Sequence, residues 1–167
     1  MNALTNPLAI AALNKAVKGA SLASWNSRIA DKFALRGYAS LFGELGNLAK
    51  QTGRSRNSEA IAALSDALLG FKQTNGLLHI LKQHIGPETA DQLLAQVPEI
   101  KPCGPEKKLI LRFPNDMRSD VALAQSEHKG SLRSMNSWML DALEKWVVHQ
   151  RQIQVLMDAA IDGQGQC

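Results

Sequence analysis

Lys107-Lys108-Leu109-Ile110-Leu111-Arg112-Phe113-Pro114 is the stretch on which the reading of the fold turns. It is largely apolar and closed by a proline, which has no N–H to give to a sheet ladder and so ends a strand. Side chains alternate faces along a strand, which puts Lys108, Ile110 and Arg112 on one side and Leu109, Leu111 and Phe113 on the other. Helical spacing then returns with Met117, Val121 and Ala124, breaks at Lys129-Gly130, and restarts at Ser134 with Met139, Leu140, Leu143, Trp146 and Val147. Residues 107–150 are thus expected to run strand, helix, turn, helix.

The same order is expected once more, upstream. Arg54-Ser55-Arg56-Asn57-Ser58 recurs as Arg133-Ser134-Met135-Asn136-Ser137, and the apolar positions Ile61, Leu64 and Leu68 fall in step with Leu140, Leu143 and Val147. Before the inter-helix turn the offset is three residues shorter. Leu35 then aligns with Leu111, Arg36 with Arg112, Leu41 with Met117 and Leu45 with Val121. The first strand is read as Lys32-Phe33-Ala34-Leu35-Arg36-Gly37-Tyr38, with Lys32, Ala34 and Arg36 outward. The alternative is that this stretch extends a helix toward Leu41.

Two such strands paired as a ribbon fit the DNA major groove and offer alternate side chains to base edges. Lys108, Ile110 and Arg112, with Lys32, Ala34 and Arg36, are the candidate base-reading residues, because Arg and Lys suit the guanine acceptors and Ile110 suits a thymine methyl. The competing reading is a solvated edge strand whose charges discourage aggregation. Ser55 and Ser134 are placed as N-caps of the second helices, whose first N–H groups favour an anion. Ser55, Arg56, Asn57 and Ser58 in one copy, and Ser134, Asn136 and Ser137 in the other, are the candidate phosphate contacts. Plain helix capping explains the same residues without DNA.

The rest of the chain reads as support. Residues 1–31 form an amino-terminal helical extension with a helix over 7–19 opened by Pro7. Residues 32–72 form the first strand-helix-helix module. Residues 73–106 form a helical connector, with a hairpin over 76–97 and a linker rich in proline from Pro98 to Glu106. Residues 107–150 form the second module, and 151–167 a helix end and tail. The apolar run Leu8–Leu13 has no basic residue before it and is too short for a membrane span or a good signal peptide.

Composition narrows the function classes. With 45% hydrophobic, 20% charged and 5% aromatic residues the chain is expected to fold as a mostly helical protein. A net charge of +4 suits an anionic partner. Cys103 and Cys167 build no disulfide framework, so a reducing cytoplasm is expected. His79, His84, His128 and His149 have no metal-ligand spacing, and Gly43-x-x-Gly46 and Gly163-x-Gly165 sit in no strand-to-helix phosphate loop. No nucleophile-base pair is legible. The expectation is therefore no enzyme activity, no metal and no cofactor, with Trp25, Trp138 and Trp146 as packing residues.

These residues resemble the Arc and Mnt repressor family of ribbon-helix-helix proteins. There a strand ending Arg-hydrophobic-Pro precedes a helix, and Gly-Arg-Ser-x-Asn-Ser-Glu opens the next one. Leu111-Arg112-Phe113-Pro114 carries the first signature and Gly53-Arg54-Ser55-Arg56-Asn57-Ser58-Glu59 the second. The resemblance covers about residues 31–71 and 107–150. It implies a mainly α fold of tandem ribbon-helix-helix (β-α-α) modules with additional helices, sequence-specific binding of duplex DNA, and phosphate contact at the second-helix start.

The tandem arrangement resembles that of TraY-type conjugation accessory proteins. Transcriptional repression is the leading role, with a conjugation or relaxosome accessory factor and an antitoxin-like helical interaction module as alternatives. The strands pair either within one chain, as a pseudo-dimer, or between two chains of a homodimer, and the connector is a candidate surface for a protein partner. The second copy departs from the family pattern with Trp138 in place of Glu and with Ser131-Leu132 lengthening its turn. The family's buried Arg–Glu–Arg cluster has Arg54, Glu59 and Ala63 in the first copy, and Arg133, Trp138 and Ala142 in the second.

Overall fold

A computed structural model describes residues 31–114, 116–127 and 134–164. The helix expected over 7–19, Trp25, the Lys129-Gly130 turn with Ser131-Leu132, His128, Arg133 and Cys167 lie outside the described residues. In chain order the elements are strand β1 (Asp31–Tyr38), helices α1 (Ala39–Gln51), α2 (Arg56–Leu68), α3 (Lys72–Ile85) and α4 (Pro87–Leu94), strand β2 (Glu106–Phe113), and helices α5 (Met117–Glu127) and α6 (Met135–Gln164). Among the described residues the protein is mainly helical with one two-stranded antiparallel sheet. None of the described helices is long and apolar enough to cross a membrane.

Alternation within the strands sets the core. Along β1, Leu35 is buried between exposed Ala34 and Arg36, and along β2, Leu111 and Phe113 are buried on either side of exposed Arg112. The two strands pair so that Phe33 meets Leu111 and Leu35 meets Leu109 on the inward face. That face closes over Leu41, Phe42 and Leu45 of α1, Ala60, Ala63 and Leu64 of α2, Met117 and Val121 of α5, and Met139, Leu143 and Val147 of α6. The aligned pairs Leu35 and Leu111, Leu45 and Val121, and Leu64 and Leu143 are all fully buried.

The two strand-helix-helix stretches interlock. Helix α2 lies against β2, and α6 lies against β1, so each second helix supports the strand of the other stretch. Glu59 of α2 is buried in this shared core and accepts hydrogen bonds from Trp146 Nε1 of α6 at 2.8 Å and from Thr52 Oγ1 at 3.0 Å, with Arg54 Nη1 3.6 Å away. The Trp146 indole thus takes a place beside Glu59 that no residue near it in sequence supplies. A buried carboxylate without such donors is costly.

Helix ends follow local chemistry. Gly53, at φ 66°, closes α1, with Arg54 N–H donating to Ala49 O at 2.8 Å, a Schellman-type ending that spares Cβ strain. Pro87 opens α4 at the position where a missing N–H costs nothing. The amino end of α1 has no side-chain cap. There the Ala39 and Ser40 N–H groups donate to Pro105 O and Cys103 O of the connector at 3.1 and 3.2 Å, and Ser40 Oγ bonds the backbone of Lys101 and Cys103. The expected linker therefore lacks regular structure but is tied to α1.

Helix α6 runs 30 residues, well past the expected end of the second module. Its extension carries Ile153 and Leu156 into a second apolar cluster with Leu78 of α3 and Ala90 of α4. Arg151 joins three segments there, pairing with Glu44 of α1 at 2.7 Å and donating to Pro98 O at 3.0 Å.

His149 of α6 stands edge-on to Phe71, with ring centroids 5.3 Å apart, and its Nδ1 is buried without a hydrogen-bond partner. Burial pushes its pKa below the usual imidazole value, Asp66 opposes that shift, and Lys145 adds to it. A lowered folded-state pKa means that the unfolded chain binds the proton more readily. The His149 contribution to stability should be complete above the ordinary value of 6.5 and lost as pH falls from there through the folded-state pKa. Urea melts at stepped pH should show that decline in the wild type and a flatter profile in His149→Gln. Leu35→Ala, which empties a fully buried site, should cost about 2–5 kcal/mol in the same melts.

Candidate nucleic-acid interface

The outward face of the ribbon carries Lys32, Ala34, Arg36 and Tyr38 from β1 and Glu106, Lys108, Ile110 and Arg112 from β2, all exposed. The register sets Lys32 opposite Arg112, Ala34 opposite Ile110, Arg36 opposite Lys108 and Tyr38 opposite Glu106. All six residues expected on the reading face therefore come together on one surface, drawn from both strands of a single chain. Like charges directly opposite each other on a sheet face repel and destabilise the pair. Here that happens twice, and among the described residues none of the four cations forms an ion pair. The carboxylate nearest in sequence, Asp31, is bound by Arg118 at 2.7 Å, and the Arg118 guanidinium also lies 5.6 Å from the Phe33 ring centre.

The second-helix starts flank opposite ends of this ribbon. Ser55 caps α2 by accepting from Ser58 N–H at 3.1 Å, with the Ser58 hydroxyl 2.9 Å from its own. Ser134 caps α6 by accepting from Ser137 N–H at 3.2 Å. Both caps fall where the sequence puts them. The Arg56 guanidinium folds back over Gly46 of α1, and a Cβ added to that glycine would stand 3.1 Å from Arg56 Nη2.

The two asparagines expected at phosphate have another geometry. Asn57 Oδ1 accepts from Arg112 N–H at 2.7 Å, and its Nδ2 reaches Arg112 O at 3.4 Å. Asn136 does the same to Arg36, with both bonds at 2.8 Å. Each carboxamide thus satisfies the free backbone edge of a ribbon strand and supports the residue expected to read DNA. The relation crosses the stretches: Asn57 follows β1 but holds β2, and Asn136 follows β2 but holds β1. The repeated Asn is visible in sequence, whereas its partner lies 55 residues away in one case and 100 in the other.

The ribbon ends are not alike on the inward face. Phe33 and Phe113 pack with centroids 6.2 Å apart at one end. At the other, Gly37 aligns with Phe113, and a Cβ there would fall 2.6 Å from Leu140 and 3.2 Å from Phe42. Those two side chains occupy the space, which accounts for the loss of a large residue at position 37. Of the histidines, His79 and His84 are exposed. Among the described residues no cluster of His, Cys, Asp and Glu is arranged to hold a metal ion.

Asn57→Ala and Asn136→Ala should each lower stability by about 1–2 kcal/mol, the worth of two modest hydrogen bonds, read by chemical denaturation. Asn57→Asp should do no better than Asn57→Ala, because a carboxylate keeps the acceptor for Arg112 N–H but repels Arg112 O. Amide exchange should quicken at Arg112 in the Asn57 variant and at Arg36 in the Asn136 variant. Comparison of the chain with protein-family models, with curated proteins and with solved structures finds no match.

Proposed function

We propose that the protein is a sequence-specific duplex DNA-binding protein of the ribbon-helix-helix type, acting as a transcriptional repressor, with both strands of the reading ribbon supplied by one chain. The observation that carries this reading is the pair of cross-strand like-charge contacts, Lys32 opposite Arg112 and Arg36 opposite Lys108, on an exposed face. Their repulsion is relieved by a polyanion, and a two-stranded ribbon is narrow enough to enter the major groove. The chain's net charge of +4 favours the same partner.

In this reading Lys32, Arg36, Lys108 and Arg112 meet guanine edges, and Ala34 and Ile110 lie over the middle of the site. The first-turn N–H groups of α2 and α6, beside Ser55 and Ser134, meet the phosphates on either side, with Ser58 and Ser137 assisting. Asn57 and Asn136 act behind the ribbon as positioning residues. Arg56, exposed at the start of α2, belongs to the phosphate set. A further role in holding a protein partner, of the antitoxin-like kind, is favoured by the exposure of Leu77 and Ile80 on α3 and of Met157 and Ile161 on α6.

Binding to duplex DNA from upstream of the protein's own gene, measured over a salt series, tests the reading. Affinity should fall with salt, with a slope of log K against log salt of about −0.9 per phosphate neutralised. Lys32→Ala/Arg112→Ala and Arg36→Ala/Lys108→Ala each strip one end of the ribbon. Each base-reading side chain removed should cost about 1–3 kcal/mol of discrimination. If both double variants kept the wild-type sequence preference, the ribbon would not be the reading surface.

A further inference from the structure

The outward face has a near-symmetry that one position breaks. A dyad through the middle of the ribbon, between Ala34 and Ile110, exchanges Lys32 with Lys108 and Arg36 with Arg112. Each end of the ribbon then carries one lysine and one arginine, taken from different strands. The same dyad relates the Asn57 clamp on Arg112 to the Asn136 clamp on Arg36, and the Ser55 cap to the Ser134 cap. At the centre it relates a methyl group to a branched four-carbon chain. Ile110 is 51% exposed there, at the middle of a face whose two ends carry the Lys and Arg residues.

We infer that one chain recognises a short quasi-palindromic duplex, with dyad-related outer bases and an asymmetric centre marked by a thymine whose methyl group meets Ile110. This rests on the DNA-binding reading above. The span follows from strand geometry. Four residues separate Lys32 from Arg36, and Lys108 from Arg112, about 13 Å at the usual strand rise. That distance is about four base-pair steps of B-form DNA, at about 3.4 Å each. The outer Lys and Arg residues meet the ends of this span, where their equivalence calls for equivalent bases on the two DNA strands.

At the centre the equivalence ends. The Ile110 side chain fills the space beside a thymine methyl on one DNA strand, and the shorter Ala34 leaves the corresponding base on the other strand without a matching contact. A homodimer of identical strands must place the same residue at both central positions. The β1–β2 ribbon made within this one chain holds Ile at one and Ala at the other, so here the asymmetry and the one-chain stoichiometry go together.

Selection from a randomised duplex library with the full-length chain tests this, together with Ile110→Ala and Ala34→Ile. All three proteins should melt alike, since both side chains are on the outer face. The wild type should select dyad-related outer bases around a centre with thymine on one strand only. Ala34→Ile, with isoleucine at both places, should turn the centre palindromic, with thymine on both strands. Ile110→Ala should keep the outer bases, lose the central preference, and bind the wild-type site about fivefold more weakly, the lower end of the cost of one wrong base pair.

Sedimentation should find one chain on the minimal duplex. A centre that is the same for all three proteins, or a minimal complex that needs two chains, overturns this inference while leaving DNA binding in place. Failure of the wild type to select any duplex overturns the DNA-binding reading and this inference with it.

Discussion

Pairing between β1 and β2 is the constraint on which the remaining structure depends. Two strands alone make a marginal unit in water, because both faces and both backbone edges stay exposed. Here the register that sets Ala34 opposite Ile110 also sets Leu35 and Leu111 inward together, and that apolar face gives four helices a common floor. Asn57 and Asn136 then occupy backbone groups on the strand edges beside Arg112 and Arg36. A slip of one residue would turn Leu35 and Leu111 outward, put Lys and Arg in the core, and misplace both asparagines.

The arrangement makes the two strand-helix-helix stretches interdependent. Each second helix supports the strand of the other stretch, and the buried Glu59 of α2 depends on the Trp146 indole of α6. Neither stretch closes its own core. The described residues after position 30 accordingly form one compact unit. The residues between the stretches contribute as well: Cys103 and Pro105 carbonyls complete the amino end of α1, and α3 and α4 cover the part of α6 that extends past the shared core.

The exposed face pays for its shape in cross-strand repulsion, and this ties the fold to the proposed activity. The apolar inward face and the asparagine clamps hold Lys32 against Arg112, and Arg36 against Lys108, in spite of their charge. The clamps fix the backbone that carries Arg36 and Arg112, so less backbone ordering would be left to be done on binding the proposed anion. The backbone support behind Arg36 and Arg112 serves the same end.

Much of this was legible in the sequence because periodicity is a local property. The alternation in Lys107–Phe113, the proline that ends it, the serine caps and the recurring apolar positions follow from how each residue fits its own strand or helix. They determined the second strand with its outward and inward faces, offered the first strand against a helical alternative, and named six residues of the outer surface. Tertiary structure alone decided which strand meets which, and in what register. It decided too that Asn57 and Asn136 hold distant backbone, that Trp146 answers Glu59, and that α6 continues through Gln164 beneath α3 and α4. The physical reason is common to all of these: a polar group or an apolar face records in sequence that it needs a partner, but the partner's identity is set only when segments far apart in the chain are brought together.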